Sequence, residues 1–323
     1  MKPGIIGAGS IVAVFLPQLL NTDGIQVLGI FARRIEAAKI LREQYQLAFS
    51  TDSFETFCSS GIDTAYVAVS NIAHYEYCRK ALEAGLHVIV EKPFTANVSE
   101  AEELLRLAKE KQLFLFEAIT TIHMPVFHQI RQWLPLIGDI RNVECMYTQR
   151  SRRYDDFCSG IILPAFDPKH AGGALMDLNV YNLHYVIGLF GKPDSAKYYP
   201  TIQNSIDTSG RLILNYPGFT ANCYAAKDCS GISGSIIQGT TGFITTEGTP
   251  NNIPSAKLHL ASHIEEYIDP HYSTRASTEF RIFNGAMQNK NYLFCYQLLE
   301  NSITASQVMT NVRLDNNIHF PCD

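Results

Sequence analysis

The first 120 residues alternate short apolar runs with stretches of helical periodicity, and this alternation constrains the fold more than any other feature of the chain. The apolar runs, which we predict to be strands, are Gly4 to Gly7, Ile25 to Phe31, Thr64 to Val69, Leu86 to Val90 and Leu113 to Phe116. The helical patterns between them are Val12 to Leu19, Ile35 to Tyr45, His74 to Ala84 and Ser99 to Lys111. Strands that alternate with helices are typical of a parallel sheet with right-handed crossovers. We therefore predict a doubly wound α/β domain in residues 1–120.

The pattern changes after about Thr120, where long strand-like runs follow one helix pattern, Val126 to Trp133. These runs are Asp139 to Gln149, Arg211 to Tyr216, Phe219 to Ala225, Ser233 to Gln238 and Gly242 to Thr246. Turns such as 216–218 and 239–242 join consecutive runs directly, which indicates antiparallel pairing. We predict a second, α+β domain over residues 121–323. We expect a mixed, mostly antiparallel sheet in this domain, and we expect the helical region 290–312 to pack back on the first domain.

The net charge and the cysteine content argue against several classes of protein. The net charge of -5 leaves no electrostatic footprint for nucleic acid or an anionic membrane surface. No apolar stretch is long and uninterrupted enough to span a bilayer. The eight cysteines are scattered, with no C-x-x-C spacing and no small disulfide framework, so we expect reduced thiols and a cytoplasmic location. We also expect no bound metal.

A glycine-rich turn, Gly4-Ile5-Ile6-Gly7-Ala8-Gly9, follows the first predicted strand and precedes a helix. Gly7 permits a tight turn, and Gly9 lets backbone N–H groups approach a pyrophosphate at the helix N-terminus, where the dipole favours negative charge. Val12 replaces the third glycine of the G-x-G-x-x-G fingerprint, although the strand, turn and helix context fits. The residues predicted to bind a dinucleotide here are Gly7, Gly9, Ser10 and Ile11.

Two arginines, Arg33 and Arg34, follow the second predicted strand. In a dinucleotide-binding domain an Asp or Glu at this point binds the ribose 2′-hydroxyl of NAD. Two guanidinium groups without an acid suit a 2′-phosphate instead, so the sequence favours NADP and leaves NAD open. The alternative is that both arginines only begin a solvated helix.

The segment Glu91-Lys92-Pro93 closes the predicted strand Leu86 to Val90. Parallel sheets place ligands at the carboxyl ends of their strands, so Lys92 is predicted to point into a cleft. The alternative is an ordinary solvated lysine.

A third group of polar residues lies after Gly172-Gly173. On an α-helix, Asp177, Tyr181 and His184 are spaced i, i+4 and i+7, which puts a carboxylate, a phenol and an imidazole on one face. The alternative is the polar edge of a packed helix. The two glycines indicate a close approach of the backbone to a ligand or to a neighbouring element.

Together these motifs resemble the Gfo/Idh/MocA family, which includes glucose-fructose oxidoreductase and inositol dehydrogenase. The resemblance rests on Gly4 to Gly9, Ile62-Asp63, Ser70 to His74, Ala84 to Pro93 and Gly172 to Asp177. It implies an N-terminal Rossmann domain that binds NAD or NADP. It also implies a C-terminal domain whose open sheet covers the nicotinamide and mediates a homodimer or higher homo-oligomer.

The resemblance implies roles for individual residues. Lys92 matches the catalytic lysine beside the nicotinamide, and Asp177 matches the substrate-orienting aspartate. Tyr181 stands where many members have histidine; a phenol titrates near pH ~10, so as the proton-transfer group it needs a cation such as Lys92 nearby. Further cofactor contacts are expected from Ser70, Asn71, His74 and Glu91, and weaker substrate contacts from His184 and Glu117. For His74 a structural role is equally open.

Two functions remain open from the sequence. The first is an NADP-preferring dehydrogenase or reductase acting on a secondary alcohol or carbonyl of a sugar, cyclic polyol or dihydrodiol. The second is an NADP-binding regulatory protein of the same fold without turnover. Retention of Lys92, Asp177 and Tyr181 favours the enzyme, because a sensor needs none of them.

Overall fold

The computed structural model describes all 323 residues, which form two compact units. Unit 1 comprises Met1–Ala118 and Ala276–Ile303, and unit 2 comprises Ile119–Arg275 and Thr304–Asp323. None of the helices combines the length and the apolar composition that crossing a membrane requires.

Unit 1 contains a six-stranded parallel sheet in the order β3-β2-β1-β4-β5-β6. Its strands are β1 (Pro3–Ile6), β2 (Gly29–Phe31), β3 (Phe49–Thr51), β4 (Thr64–Val67), β5 (His87–Glu91) and β6 (Leu115–Ala118). The connecting helices are α1 (Ser10–Leu20), α2 (Ile35–Tyr45), α3 (Phe54–Cys58), α4 (His74–Glu83) and α5 (Val98–Lys111). The predicted doubly wound parallel sheet is confirmed, and its order is that of a Rossmann fold.

Successive side chains of the unit 1 strands enter two separate apolar clusters, one on each face. Ile5 and Ile89 pack in the cluster that includes Leu16 of α1. Ile6 and Val90 pack in the cluster that includes Leu104 of α5. Because helices cover both faces, the central strands are mostly apolar on both faces, which is why they stand out in the sequence.

Unit 2 contains an eight-stranded sheet in the order β14-β13-β12-β11-β7-β10-β9-β8. Its strands are β7 (Ile140–Thr148), β8 (Ser195–Gln203), β9 (Ile206–Tyr216), β10 (Phe219–Ala226), β11 (Gly234–Gly239), β12 (Gly242–Glu247), β13 (Ser255–Leu260) and β14 (Ile264–Ile268). The pair β7 and β10 is parallel and the other pairs are antiparallel, so the predicted mixed, mostly antiparallel sheet is confirmed. The predicted hairpins β9–β10 and β11–β12 are present.

Five further helices complete the chain. They are α6 (Pro125–Trp133), α7 (Tyr154–Cys158), α8 (Val180–Phe190), α9 (Arg275–Gln288) and α10 (Tyr292–Leu314). In unit 1, Phe280 and Phe283 of α9 and Cys295 of α10 join the cluster that contains Ile5. The boundary between the two units at Ile303 falls within α10.

Candidate active site

The carboxyl edge of the unit 1 sheet gathers the residues predicted to bind the cofactor. The strand order reverses between β1 and β4, and ligands of doubly wound sheets bind at such a switch point. Gly7, Gly9, Ser10 and Ile11 follow β1; Arg33 and Arg34 follow β2; Ser70, Asn71 and His74 follow β4; Glu91 and Lys92 stand at the end of β5.

The two glycines after β1, Gly7 and Gly9, have different surroundings. Gly7 has a φ of +119°, and a Cβ on it would lie 2.2 Å from the carbonyl oxygen of Ala68. The φ and the close approach of Ala68 mean that the protein itself requires a glycine here, and the Gly7 N–H also donates to the carbonyl oxygen of Phe31 at 2.8 Å. Gly9 is exposed, and a Cβ on it would meet nothing within 4 Å. Only Gly9 therefore leaves open space that a ligand could use.

Gly9 is also the N-cap of α1, and no side chain caps this helix. The first N–H groups of an α-helix have no partner within the helix, and the macrodipole adds partial positive charge there. An 11-residue helix that begins after an uncovered glycine fits a pyrophosphate. Val12, in place of the third glycine, is fully buried in the core and does not reach this surface.

Arg33 and Arg34 are exposed at the end of β2, and Arg34 is the N-cap of α2 without a side-chain cap hydrogen bond. This placement is compatible with both readings of the sequence, a 2′-phosphate ligand and a solvated helix start.

The side chain of His74, the first residue of α4, holds the loop that carries Lys92. The imidazole of His74 is fully buried, with Nδ1 2.8 Å from the carbonyl oxygen of Pro93 and Nε2 3.3 Å from that of Val69. Burial lowers the pKa of His74. A neutral imidazole has one N–H and donates to only one of these carbonyl oxygens, and the shorter distance favours that of Pro93. The geometry thus favours a positioning role for His74, at the loop after β5, over direct contact with the cofactor. The Lys92–Pro93 peptide is cis.

Two glutamates stand near the carboxyl ends of neighbouring strands, Glu91 partly buried on β5 and Glu117 buried on β6. Glu91 accepts a hydrogen bond from the hydroxyl of Tyr66 at 2.5 Å. Burial raises the pKa of Glu91, while the Tyr66 hydroxyl and the Lys92 ammonium oppose this rise. Glu117 is 5% exposed on β6, so the geometry does not favour the predicted contact of Glu117 with substrate.

In unit 2, Gly172 and Gly173 are needed for close packing against neighbouring protein segments. A Cβ on Gly172 would lie 2.6 Å from the carbonyl oxygen of Pro164. Gly173 has a φ of +105°, and its Cβ would lie 2.1 Å from Oδ1 of Asp207. Of the two alternatives from the sequence, the neighbouring element is therefore the one observed.

The segment that follows departs from the predicted helix. Residues Leu175–Asn179 form a π-helical turn, and the α-helix α8 begins only at Val180. The predicted i, i+4, i+7 stripe assumed one continuous α-helix, and that assumption is wrong. Such π-bulges are frequent at functional sites. The turn carries Asp177, whose side chain is 34% exposed.

The other two residues of the predicted stripe lie in different surroundings. Tyr181 is half-buried, with its ring centroid 5.9 Å from that of Tyr147. His184 is 1% exposed and lies near His123; burial, with His128 and His184, lowers the pKa of His123 to about 3. The structure therefore does not favour the predicted substrate contact of His184.

Two buried charged residues at this site were missed in the sequence. Lys227, directly after β10, places Nζ 2.8 Å from Oδ2 of Asp177. Asp207, on β9, accepts hydrogen bonds from the N–H of Leu175 at 2.6 Å and from the hydroxyl of Tyr198 at 2.7 Å. Lys227 carries the same signal that singles out Lys92, a lysine at the end of an apolar strand. Asp207 has no comparable signal.

Asp207 gives unit 2 a specific pH dependence. Burial raises its pKa from the ordinary 3.8 to about 6, against the opposing effects of Tyr198, the Leu175 amide and Lys227. A raised pKa means that the stabilisation by the protonated form is fully present below about pH 4 and lost as the pH rises through about 6. The wild type therefore loses stability over this range, whereas Asp207→Asn does not. The free energy of unfolding of the variant, relative to that of the wild type, should rise by about 3 kcal/mol. Urea unfolding at both ends of the range measures this change.

Asp139→Asn provides the matched control, because Asp139 lies in the same unit with its side chain 81% exposed. Its effect on the free energy of unfolding should change little with pH. A constant difference between Asp207→Asn and wild type across the range would contradict the raised pKa of Asp207.

The chain is similar to known proteins, both in its N-terminal domain and over its full length. Residues 1–119 match the sequence model of an oxidoreductase family, Gfo/Idh/MocA, described as an NAD-binding Rossmann fold. The chain is 29% identical to scyllo-inositol 2-dehydrogenase (NADP(+)) IolU of Bacillus subtilis, over 99% of the chain and 98% of that protein. It is 26% identical to trans-1,2-dihydrobenzene-1,2-diol dehydrogenase of Bos taurus, over 100% of the chain and 99% of that protein.

Among solved structures, KijD10 shares the fold. KijD10 is a 3-ketoreductase from Actinomadura kijaniata, crystallised with NADP and TDP-benzene. The two structures align with a TM-score of 0.85 at 22% identity, over 99% of this chain and 98% of KijD10. The match to the Gfo/Idh/MocA oxidoreductase family thus spans the NAD-binding domain of this chain, and the two-sheet fold is shared with KijD10.

Proposed function

We propose that this protein is an NADP-dependent oxidoreductase that transfers a hydride between the nicotinamide and a secondary alcohol or carbonyl carbon. One observation carries the proposal. Lys92 stands at the end of β5, on the sheet edge that also carries the open N-terminus of α1, and His74 fixes its loop through the carbonyl oxygen of Pro93. A lysine whose loop is held in this way is better suited to take part in a reaction than an ordinary solvated lysine would be.

The residues have distinct proposed roles. When bound, NADP supplies the acceptor or donor of the hydride. The ammonium of Lys92 stabilises the negative charge that develops on the substrate oxygen as the carbon–hydrogen bond breaks or forms. Tyr181, as its phenolate, takes the hydroxyl proton in oxidation, and as its phenol it gives a proton to the oxygen in reduction. Asp177 accepts a hydrogen bond from a substrate hydroxyl and so orients the reacting carbon.

The full-length relatives support the substrate class. One is named as an NADP(+)-dependent scyllo-inositol dehydrogenase and another as a dihydrobenzenediol dehydrogenase, and both names specify cyclic compounds with adjacent hydroxyl groups. We propose a cyclic polyol, sugar or dihydrodiol as substrate of this chain. The test is a steady-state assay with such compounds and either dinucleotide, following the absorbance of reduced nicotinamide.

Arg33→Ala and Arg34→Ala test the choice of cofactor. Each guanidinium is proposed to bind the 2′-phosphate, and hydrogen bonds to charged groups contribute about 1.5–3 kcal/mol, so each variant should bind NADPH roughly 10- to 100-fold more weakly. NADH affinity should stay close to that of wild type, because NADH lacks this phosphate. Equilibrium titrations that follow the fluorescence of Trp133 and of the tyrosines measure both dissociation constants.

Arg106→Ala is the control, since Arg106 is an exposed arginine of unit 1 that pairs with Glu110 on α5. It should leave both affinities unchanged. No loss for either cofactor in the Arg33 and Arg34 variants would support the solvated helix start instead. Equal losses for NADPH and NADH would contradict recognition of the 2′-phosphate by these arginines.

A further inference from the structure

The ammonium of Lys227 is buried in unit 2 with three partners. The side chain is 2% exposed, and Nζ lies 2.8 Å from Oδ2 of Asp177. Nζ also donates to the carbonyl oxygen of Ala165 at 2.6 Å and lies 4.4 Å from the ring centroid of Phe166. The position of the stem is fixed by the backbone, because the N–H of Lys227 donates to the carbonyl oxygen of Thr208 at 2.8 Å.

A buried ammonium group is unfavourable compared with an apolar side chain of similar volume. Its removal from water is unfavourable, and well-packed apolar residues often replace buried ion pairs with no loss of stability. A second pair in unit 2, Arg313 with Asp323, shows the enclosed form of such an interaction, with side-chain exposures of 1% and 15%. The pair of Lys227 and Asp177 differs, because Lys227 is enclosed while Asp177 is 34% exposed. The interaction therefore holds a carboxylate that solvent, or a substrate, can reach.

The backbone beneath Asp177 is held independently. Asp207 binds the N–H of Leu175, at the first residue of the π-helical turn, and packs against Gly173. The π-helical turn thus fixes the backbone of Asp177, and Lys227 fixes the position of one oxygen of its carboxylate.

We infer that Lys227 is a positioning residue that acts through Asp177, holding its carboxylate in the orientation that binds a substrate hydroxyl. This role rests on the proposed function. It gives Lys227 no contact with the substrate or the cofactor, so its loss should change substrate turnover and leave cofactor affinity unchanged.

The test is a double-mutant cycle in the full-length protein with Lys227→Met, Asp177→Asn and the combination of both. Methionine keeps the length and much of the volume of lysine without the charge. If Lys227 acts through Asp177, Lys227→Met should lower kcat/KM for the substrate by about tenfold to a hundredfold, the scale expected when a positioning group is displaced. The NADPH dissociation constant should not change. The double variant should be no slower than Asp177→Asn alone.

Two further variants make the cycle decisive. Lys257→Met removes an exposed lysine of unit 2 that pairs with Glu266 at 3.4 Å, and it should match wild type. Lys227→Gln, whose amide can still donate to the carbonyl oxygen of Ala165, replaces the methionine variant if thermal unfolding shows that the latter does not fold.

The outcomes separate this role from the proposed function. An active wild type together with an equally active Lys227→Met, or with losses that multiply in the double variant, would overturn the role of Lys227 alone. A wild type that binds NADPH but turns over no compound would overturn the proposed function and, with it, this role.

Discussion

Replacing Lys92 by methionine is expected to lower kcat by about 10³-fold while NADPH binds as tightly as it does to the wild type. The proposed ammonium acts on charge that develops during the reaction, and removal of one preorganised donor of this kind costs about 10²–10³ in kcat. The loss is placed at the upper end because Lys92 carries a full charge. Single-turnover mixing of the preformed NADPH complex with a carbonyl substrate measures the rate of hydride transfer, and a fluorescence titration measures binding.

The control for this experiment is Lys80→Met. Lys80 is an exposed lysine of the same unit, on α4, and pairs with Glu76. Its variant should retain both turnover and binding. Normal hydride transfer in Lys92→Met would remove Lys92 from the chemistry. A loss confined to NADPH affinity would make it a cofactor ligand instead.

Gly7→Ala is expected to lower the stability of the protein, whereas Gly9→Ala is expected to weaken NADPH binding. Gly7→Ala forces a side chain into a φ of +119° and places its Cβ 2.2 Å from a backbone oxygen, so it should destabilise unit 1 by about 3 kcal/mol or more. Gly9→Ala meets no protein atom and should fold with a stability within about 0.5 kcal/mol of wild type. It should nevertheless weaken NADPH binding by about tenfold or more, because the added methyl group occupies the space proposed for the pyrophosphate.

Urea unfolding and an NADPH titration of each glycine variant separate the two roles. A Gly7→Ala protein as stable as the wild type would contradict the geometry of the turn after β1. A Gly9→Ala protein with normal NADPH affinity would mean that the N-terminus of α1 does not bind the phosphates.

The elements with strong periodicity or clear turn residues could be predicted from the sequence. The helix predicted over Ile35 to Tyr45 has the same bounds in the structure, and the turn through Pro217 and Gly218 does join β9 to β10. Strand β3 was missed because it has only three residues, two of them Ser50 and Thr51. The strand predicted from Ile25 begins only at Gly29.

Strands with little apolar alternation were also missed. Strand β8 contains Lys197 and Pro200 and is the last strand of its sheet, so most of its side chains are not buried. At the opposite edge, β14 is exposed along most of its length, and its neighbour β13 was missed as well. Edge strands need not be apolar on either face, so the signal that reveals the central strands is weak in them.

The same contrast applies to the site. Lys92 and Gly7 could be singled out because the carboxyl ends of parallel strands lie at one edge, and the chain order alone predicts that edge. Lys227 has the same strand-end signal, but its pairing with Asp177 could not be predicted. Nor could that of Asp207 with the N–H of Leu175, because both contacts depend on the register of the second sheet. The π-helical turn was missed because its residues have the composition of an ordinary apolar helix.

The most direct test of hydride transfer uses scyllo-inositol deuterated at its carbinol carbons, incubated with NADP(+) and the wild-type protein. Mass spectrometry of the recovered cofactor then shows the origin of the transferred hydrogen. If the protein is the proposed oxidoreductase, reduced cofactor forms and carries one deuterium from the substrate. Reduced cofactor without deuterium would contradict hydride transfer. So would binding of NADP(+) without any reduction when sugars and dihydrodiols deuterated in the same way are tried.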